Sequence, residues 1–115
     1  MRNNKYSELI DRLIESTKEG RINWDKASRN GEYTADIQNY MVSLIMLSTG
    51  VFSIGRNAVD KYVLSLINDQ GEYIDTNEIQ REDCDYKKVE ELYSEARKSY
   101  YKVDDVLSTL ISNLS

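Results

Sequence analysis

The residues best suited to chemistry fall in three places along this 115-residue chain. Gly50-Val51-Phe52-Ser53-Ile54-Gly55-Arg56-Asn57 has the glycine spacing of a phosphate-binding loop and follows an apolar stretch. The lysine and Ser/Thr that touch phosphate and magnesium in such loops are replaced here by Arg56 and Asn57. No strand–helix alternation surrounds the segment, so an NTPase site is not expected. What survives is a glycine-flanked loop that holds a small anion through backbone amides and the Arg56 guanidinium, or a plain connection between strands. The carboxylates Asp75, Glu78, Glu82, Asp83 and Asp85 form the second group. Their spacing matches no EF-hand, and two of them suit helix capping. A metal-dependent hydrolase built on this cluster stays as an alternative, because paired carboxylates meet in space rather than in sequence.

The third group is aromatic. Nine tyrosines and one tryptophan are a large supply of amphipathic contact area. Tyr6, Tyr86, Tyr93 and Tyr100 lie on helical apolar stripes and read as core or seam. Tyr101 lies on the flank beside Arg97 and Lys98 and reads as exposed. Trp24, with Arg21 and Arg29 nearby, is either a core plug or a stacking face for a nucleotide-like anion. The candidate ligand-binding residues are therefore Arg56, Asn57, Trp24 and Arg21.

Absences narrow the chemistry further. With no histidine, the Ser-His, Cys-His and His-zinc arrangements are ruled out. Cys84 is the single cysteine, so neither an intramolecular disulfide nor a cysteine metal site is available. The expectation is a protein that is not an enzyme, with no catalytic residues, no metal and no cofactor. Its apolar stretches fall far short of the roughly 20 residues that span a bilayer. The charged N-terminal segment lacks the apolar core of a secretory signal, so a cytoplasmic location is expected.

Charge bears on the partner. The net charge is −5, with ten acidic and three basic side chains between residues 69 and 95. A nucleic-acid binder concentrates positive charge to displace counterions, so no nucleic-acid partner is expected. The acidic segment suits a basic protein or an ordinary solvated surface.

The elements that must position these groups follow from periodicity. Tyr6, Leu9, Ile10, Leu13, Ile14 and Thr17 make one apolar stripe, predicting a helix that stops at Gly20. Residues 21–31 read as a short strand and loop. Tyr33, Ala35 and Ile37 alternate with polar residues as a half-exposed strand, and Gln38-Asn39 turns the chain. Tyr40 to Leu47 is a strand covered on both sides or a buried helix, with the strand favoured. Tyr62 to Ile67 is a strand, Asn68-Asp69-Gln70-Gly71 a hairpin loop, and Tyr73 to Ile79 an edge strand. Asp83 or Asp85 then caps a long helix.

In that helix Tyr86, Val89, Tyr93, Ala96, Tyr100, Val103, Leu107, Leu110 and Leu114 alternate at spacings of three and four. About 28 residues make a rod of roughly 42 Å, whereas such a sheet is only about 20–25 Å on a side. The surplus lies across the sheet and the first helix, or forms a homo-oligomeric seam through Tyr100, Tyr101, Val103, Leu107 and Leu110. The predicted fold is one α+β domain over residues 1–115: an N-terminal helix, a four- to five-stranded antiparallel sheet, and a long C-terminal helix packed on it.

The order of these pieces resembles a family of small bacterial and phage α+β proteins. The residues that carry the resemblance are Leu13-Ile14-Glu15-Ser16-Thr17 with Gly20, Ile22 and Trp24, then Tyr33-Thr34. They continue with Tyr62 to Gly71 and end with Tyr86, Leu92-Tyr93 and Ala96-Arg97. The resemblance implies the same helix, sheet and closing helix, and implies no activity or site residues. Abundant Asn, Ile, Lys and Tyr fit an A/T-rich coding sequence of a low-GC bacterium or its phage. Function is thus expected to be binding, with two candidates. One is a bacteria–phage conflict factor (immunity or anti-defence) that contacts a protein. The other is a sponge for a small anionic nucleotide.

Overall fold

A computed structural model describes residues 4–48 and 59–114 of the chain. The elements run α1 (Asn4–Lys18), β1 (Asp25–Lys26), β2 (Glu32–Ile37), β3 (Tyr40–Ser48), β4 (Val59–Ile67), β5 (Tyr73–Gln80), α2 (Tyr86–Tyr101) and α3 (Val103–Leu114). The strands form a five-stranded antiparallel sheet in the order β1-β2-β3-β4-β5. This is the predicted α+β fold, with Tyr40 to Leu47 a strand.

Local chemistry explains most of the boundaries. α1 buries Tyr6, Ile10, Leu13, Ile14 and Thr17 as one stripe, and ends at Gly20 with φ +75°. The turn between β2 and β3 uses Gln38 at φ +58°, with Ile37 facing Tyr40 across it. In the next hairpin the Asn68 side-chain oxygen accepts the backbone N–H groups of Gln70 and Glu72 at 3.0 and 2.9 Å. Short polar side chains hold turns this way by replacing a backbone acceptor.

The antiparallel register sets the core. Leu44 pairs with Tyr33 on one side and Leu64 on the other, while Met46 pairs with Tyr62 and Tyr62 with Ile79. All of these point to one face of the sheet, because side chains two residues apart share a face. α1 and α2 pack on each other over that face, closing a core that includes Ile10, Trp24, Leu44, Leu64, Ile79, Val89 and Leu92. The other face carries Ser43, Ile45, Ser65 and Ile67, which are buried as well. It also carries Glu32, whose carboxylate takes a two-pronged ion pair from Arg29 at 2.9 and 3.1 Å and a hydrogen bond from Ser43.

Two expectations are corrected at the C-terminus. The closing helix is not one rod. Lys102 adopts the left-handed conformation (φ 53°, ψ 51°) and its N–H caps α2 by bonding the carbonyls of Lys98 and Ser99. The chain then restarts as α3, with Asp104 and Asp105 in the first turn where a helix dipole favours acids. Only the first half of the expected helix therefore packs on the sheet. Asp85 occupies the position before α2 without capping it: its side chain makes no capping bond and instead accepts from the Ser7 hydroxyl at 3.3 Å. The Asp83 carboxylate accepts the Gln80 N–H at 2.7 Å, closing the turn ahead of the helix.

Candidate binding site

Two surfaces come out of this architecture. The first is α3. None of its residues is buried, and Val106, Leu107, Leu110, Ile111 and Leu114 are 50, 50, 52, 66 and 86% exposed. Their spacing places them on one side of the helix. The other side carries Asp104, Asp105, Ser108, Thr109 and Ser112, so α3 is amphipathic with its apolar side in water.

The second surface grows from the tyrosines. Tyr62 on β4, Tyr33 on β2 and Tyr93 on α2 reach the same end of the core, because β2, β3 and β4 are neighbours and α2 lies over them. Tyr93 stands 5.4 Å from both Tyr33 and Tyr62, ring centroid to centroid. The row extends through Tyr86 at 5.5 Å from Tyr62, and through Tyr100 at 5.8 Å from Tyr33. Tyr101 follows at 4.8 Å from Tyr100, nearly perpendicular to it. Such edge-to-face and tilted pairs add roughly 0.5–1.5 kcal/mol each beyond area burial. At the outer end the Arg97 guanidinium lies 5.5 Å above the Tyr101 ring.

The buried phenols are neutral at physiological pH. Burial pushes Tyr93 up to about 12 and raises Tyr62 further. Tyr33 is raised by burial and by its hydrogen bond with Tyr101. Tyr6, at another corner of the core, is raised to about 12 by burial and by donating to the Asp75 carboxylate at 2.5 Å. On the far face of the sheet, the Arg29 guanidinium holds the Glu32 carboxyl below the usual carboxylate range, with Ser43 helping.

Beside the row an open cleft of about 490 Å³ is walled by Tyr33, Tyr62, Tyr93 and Tyr101, with Met46 and Gly31 at its floor. Lys26, Asn30, Glu90 and Arg97 supply its polar rim. The floor is held in place by hydrogen bonds: the Gly31 carbonyl accepts the Tyr93 hydroxyl at 2.9 Å and the Met46 N–H at 3.2 Å. Gly31 sits at φ +79°, and a Cβ there would come within 3.3 Å of the Met46 carbonyl. Only glycine fits that corner without displacing the floor.

The residues expected to bind ligand do not converge on this cleft. Trp24 is 2% exposed and donates its indole N–H to Thr17 at 2.9 Å, which settles it as a core plug with no free face. Arg21 is on the surface, paired with Glu19 at 2.6 Å and Glu15 at 3.7 Å. Arg56 and Asn57, with the rest of the Gly50–Asn57 loop, lie outside the described residues. Among the expected interface residues, Leu107 and Leu110 are exposed, Tyr101 is 44% exposed, and Tyr100 and Val103 are half-buried. Asp75, Glu78, Asp83 and Asp85 go to separate partners, and no metal-holding cluster of carboxylates or thiol occurs among the described residues.

Sequence reasoning missed Lys26, Asn30, Glu90 and the cleft-facing role of Arg97. One signal was available: Tyr93, Arg97 and Tyr101 recur every four residues and so share a helix face. Nothing local ties that face to Lys26 or Tyr33. No helix among the described residues is long and apolar enough to cross a membrane. No protein-family model, curated protein or solved structure matches the chain.

Proposed function

We propose that the protein is a non-enzymatic binding protein that works by protein–protein contact, with α3 as its contact element and a second copy of the chain as the first partner. The observation that carries this reading is α3 itself, a helix of 12 residues with no buried residue and an apolar side in water. Each exposed side chain of that face removes roughly 100 Å² from water when covered. Two such faces together bury on the order of 1,000 Å², the lower bound of a specific interface.

Charge favours a copy of the same helix over other occupants. The charged residues of α3 are Asp104 and Asp105, both in its first turn, and it carries no lysine or arginine. In an antiparallel pair the two acidic ends stand about 15 Å apart, beyond the roughly 8 Å screening length of physiological salt. An anionic membrane surface, by contrast, would meet these carboxylates with no flanking base to offset them.

The biological setting we infer is bacteria–phage conflict, as an immunity or anti-defence factor that blocks a further protein. Small size, missing catalytic histidine and the acidic 69–95 segment support it. Analytical ultracentrifugation through the micromolar range tests the first step. The wild type is expected to sediment as a dimer or larger, and the Leu107→Lys/Leu110→Lys variant as a monomer that keeps the wild-type circular dichroism spectrum and melts cooperatively. A monomeric wild type would overturn self-association. Expression in a low-GC bacterial host tests the setting: phage plaque counts should shift at least tenfold with the wild type and not with the variant. Unchanged counts with the wild type would remove the conflict reading.

A further inference from the structure

The geometry points to the tyrosine-walled cleft as a binding site for a small planar aromatic anion of nucleotide size, held by Arg97 and Lys26 against Tyr101. This goes beyond contact through α3, since no α3 residue lines the cleft.

Charge is the first reason. The chain has more acids than bases, and several cations elsewhere on its surface pair with carboxylates. Lys18 meets Glu91 at 2.7 Å, Lys88 meets Asp11 at 3.2 Å, and Lys61 meets Glu78 at 3.1 Å. Arg97 and Lys26 line one cleft, and neither forms such an ion pair among the described residues. Arg97 instead rests over the Tyr101 ring at 5.5 Å, an arrangement that orients a guanidinium while leaving its N–H edge for an anion. The acid at the rim is Glu90, so the cleft keeps a positive balance on a negative protein.

Shape and wall chemistry are the second reason. A volume of about 490 Å³ falls within the range of small-molecule sites. Tyr33, Tyr62 and Tyr93 are nearly buried and give the cleft only their edges, so a flat ring rests on Tyr101, which is 44% exposed at the mouth beside the polar rim. The neutral phenols do not compete with a ligand for the two cations. Glu90 and Asn30 then accept or donate to the hydroxyl and amino groups of a ligand such as a nucleoside monophosphate. A longer nucleic acid would need a basic track, and the neighbouring segment of the chain is acidic.

Two small-molecule sources share this chemistry, a nucleotide and an aromatic carboxylate. Isothermal titration of the full chain with AMP, indole-3-acetate, adenosine and inorganic phosphate separates them. At least one of the two aromatic anions is expected to give saturable heat, with adenosine and phosphate binding at least tenfold more weakly. Whichever anion binds tells the source. Arg97→Gln should weaken that anion at least tenfold without shifting the melting temperature, and Tyr101→Ala should weaken both the anion and adenosine. The Leu107→Lys/Leu110→Lys variant should bind as the wild type does, which keeps this test separate from self-association. No heat from either anion, or binding that Arg97→Gln leaves unchanged, would overturn the assignment.

Discussion

Helices α2 and α3 carry the same apolar spacing on either side of Lys102 and end in opposite environments. α2 buries Val89, Leu92, Tyr93 and Ala96, while α3 buries nothing. The difference is one of reach rather than of pattern. The sixteen residues of α2 make about 24 Å of helix, enough to cross five strands spaced about 4.8 Å apart. Past that point there is no sheet left to cover, and a left-handed residue ends the rod instead of letting it overhang. An amphipathic stripe thus states that a face must be covered. It does not state whether the covering comes from the same chain.

The sharpest way to break this comparison is to truncate one leucine in each helix. Leu92→Ala removes a side chain that is fully buried and should cost about 2–5 kcal/mol in urea unfolding. Leu107→Ala, made in the Leu110→Lys background to keep the chain monomeric, should change stability by less than about 0.5 kcal/mol relative to that background. Equal costs would mean that α3 packs within its own chain.

Alkaline titration sharpens the contrast next. The Tyr93 phenol, held up to about 12 by burial, keeps its proton in the folded state while the unfolded chain loses its own near the ordinary value of 10.0. A raised folded value contributes stability that is complete below pH 10, and that stability is lost as pH climbs through about 12. Stability of the wild type should therefore fall from pH 10 upward, with late-titrating tyrosines visible in ultraviolet absorbance. α3 contains no tyrosine, so Leu107→Lys/Leu110→Lys should follow the same profile. A profile altered by that variant would tie α3 to the tyrosine row.

The smallest expected effect lies at the joint itself. A side chain in the left-handed conformation costs about 1 kcal/mol that glycine avoids. Lys102→Gly should stabilise the chain by about 0.5–1 kcal/mol in chemical unfolding, and Lys102→Val should destabilise it by about 1 kcal/mol. Destabilisation by glycine would show that the helix runs through residue 102.

Much of this fold was legible before any coordinates. The α1 stripe, the Gly20 stop, the Gln38-Asn39 turn and the Asn68–Gly71 hairpin depend on neighbours within a few residues, and all appear as expected. The break at Lys102 was not legible, since lysine is not a residue that signals a left-handed stop. Asp104-Asp105, the acidic start of a new helix, was the clue. Trp24 shows the reverse case, where a residue with two readings was resolved only when Thr17 came within 2.9 Å of its indole N–H.

The amino-acid sequence by itself determined most of the helices and strands and which of their faces shun water, because those properties repeat along the chain with the period of the backbone. It left Tyr40 to Leu47 open between strand and helix, and ran one helix through Lys102. Tertiary structure alone decided which of those faces found a cover. It also brought Lys26, Tyr33, Tyr62, Tyr93 and Arg97 around one cleft, because that depends on which strands are neighbours and on how far a helix can lie across them.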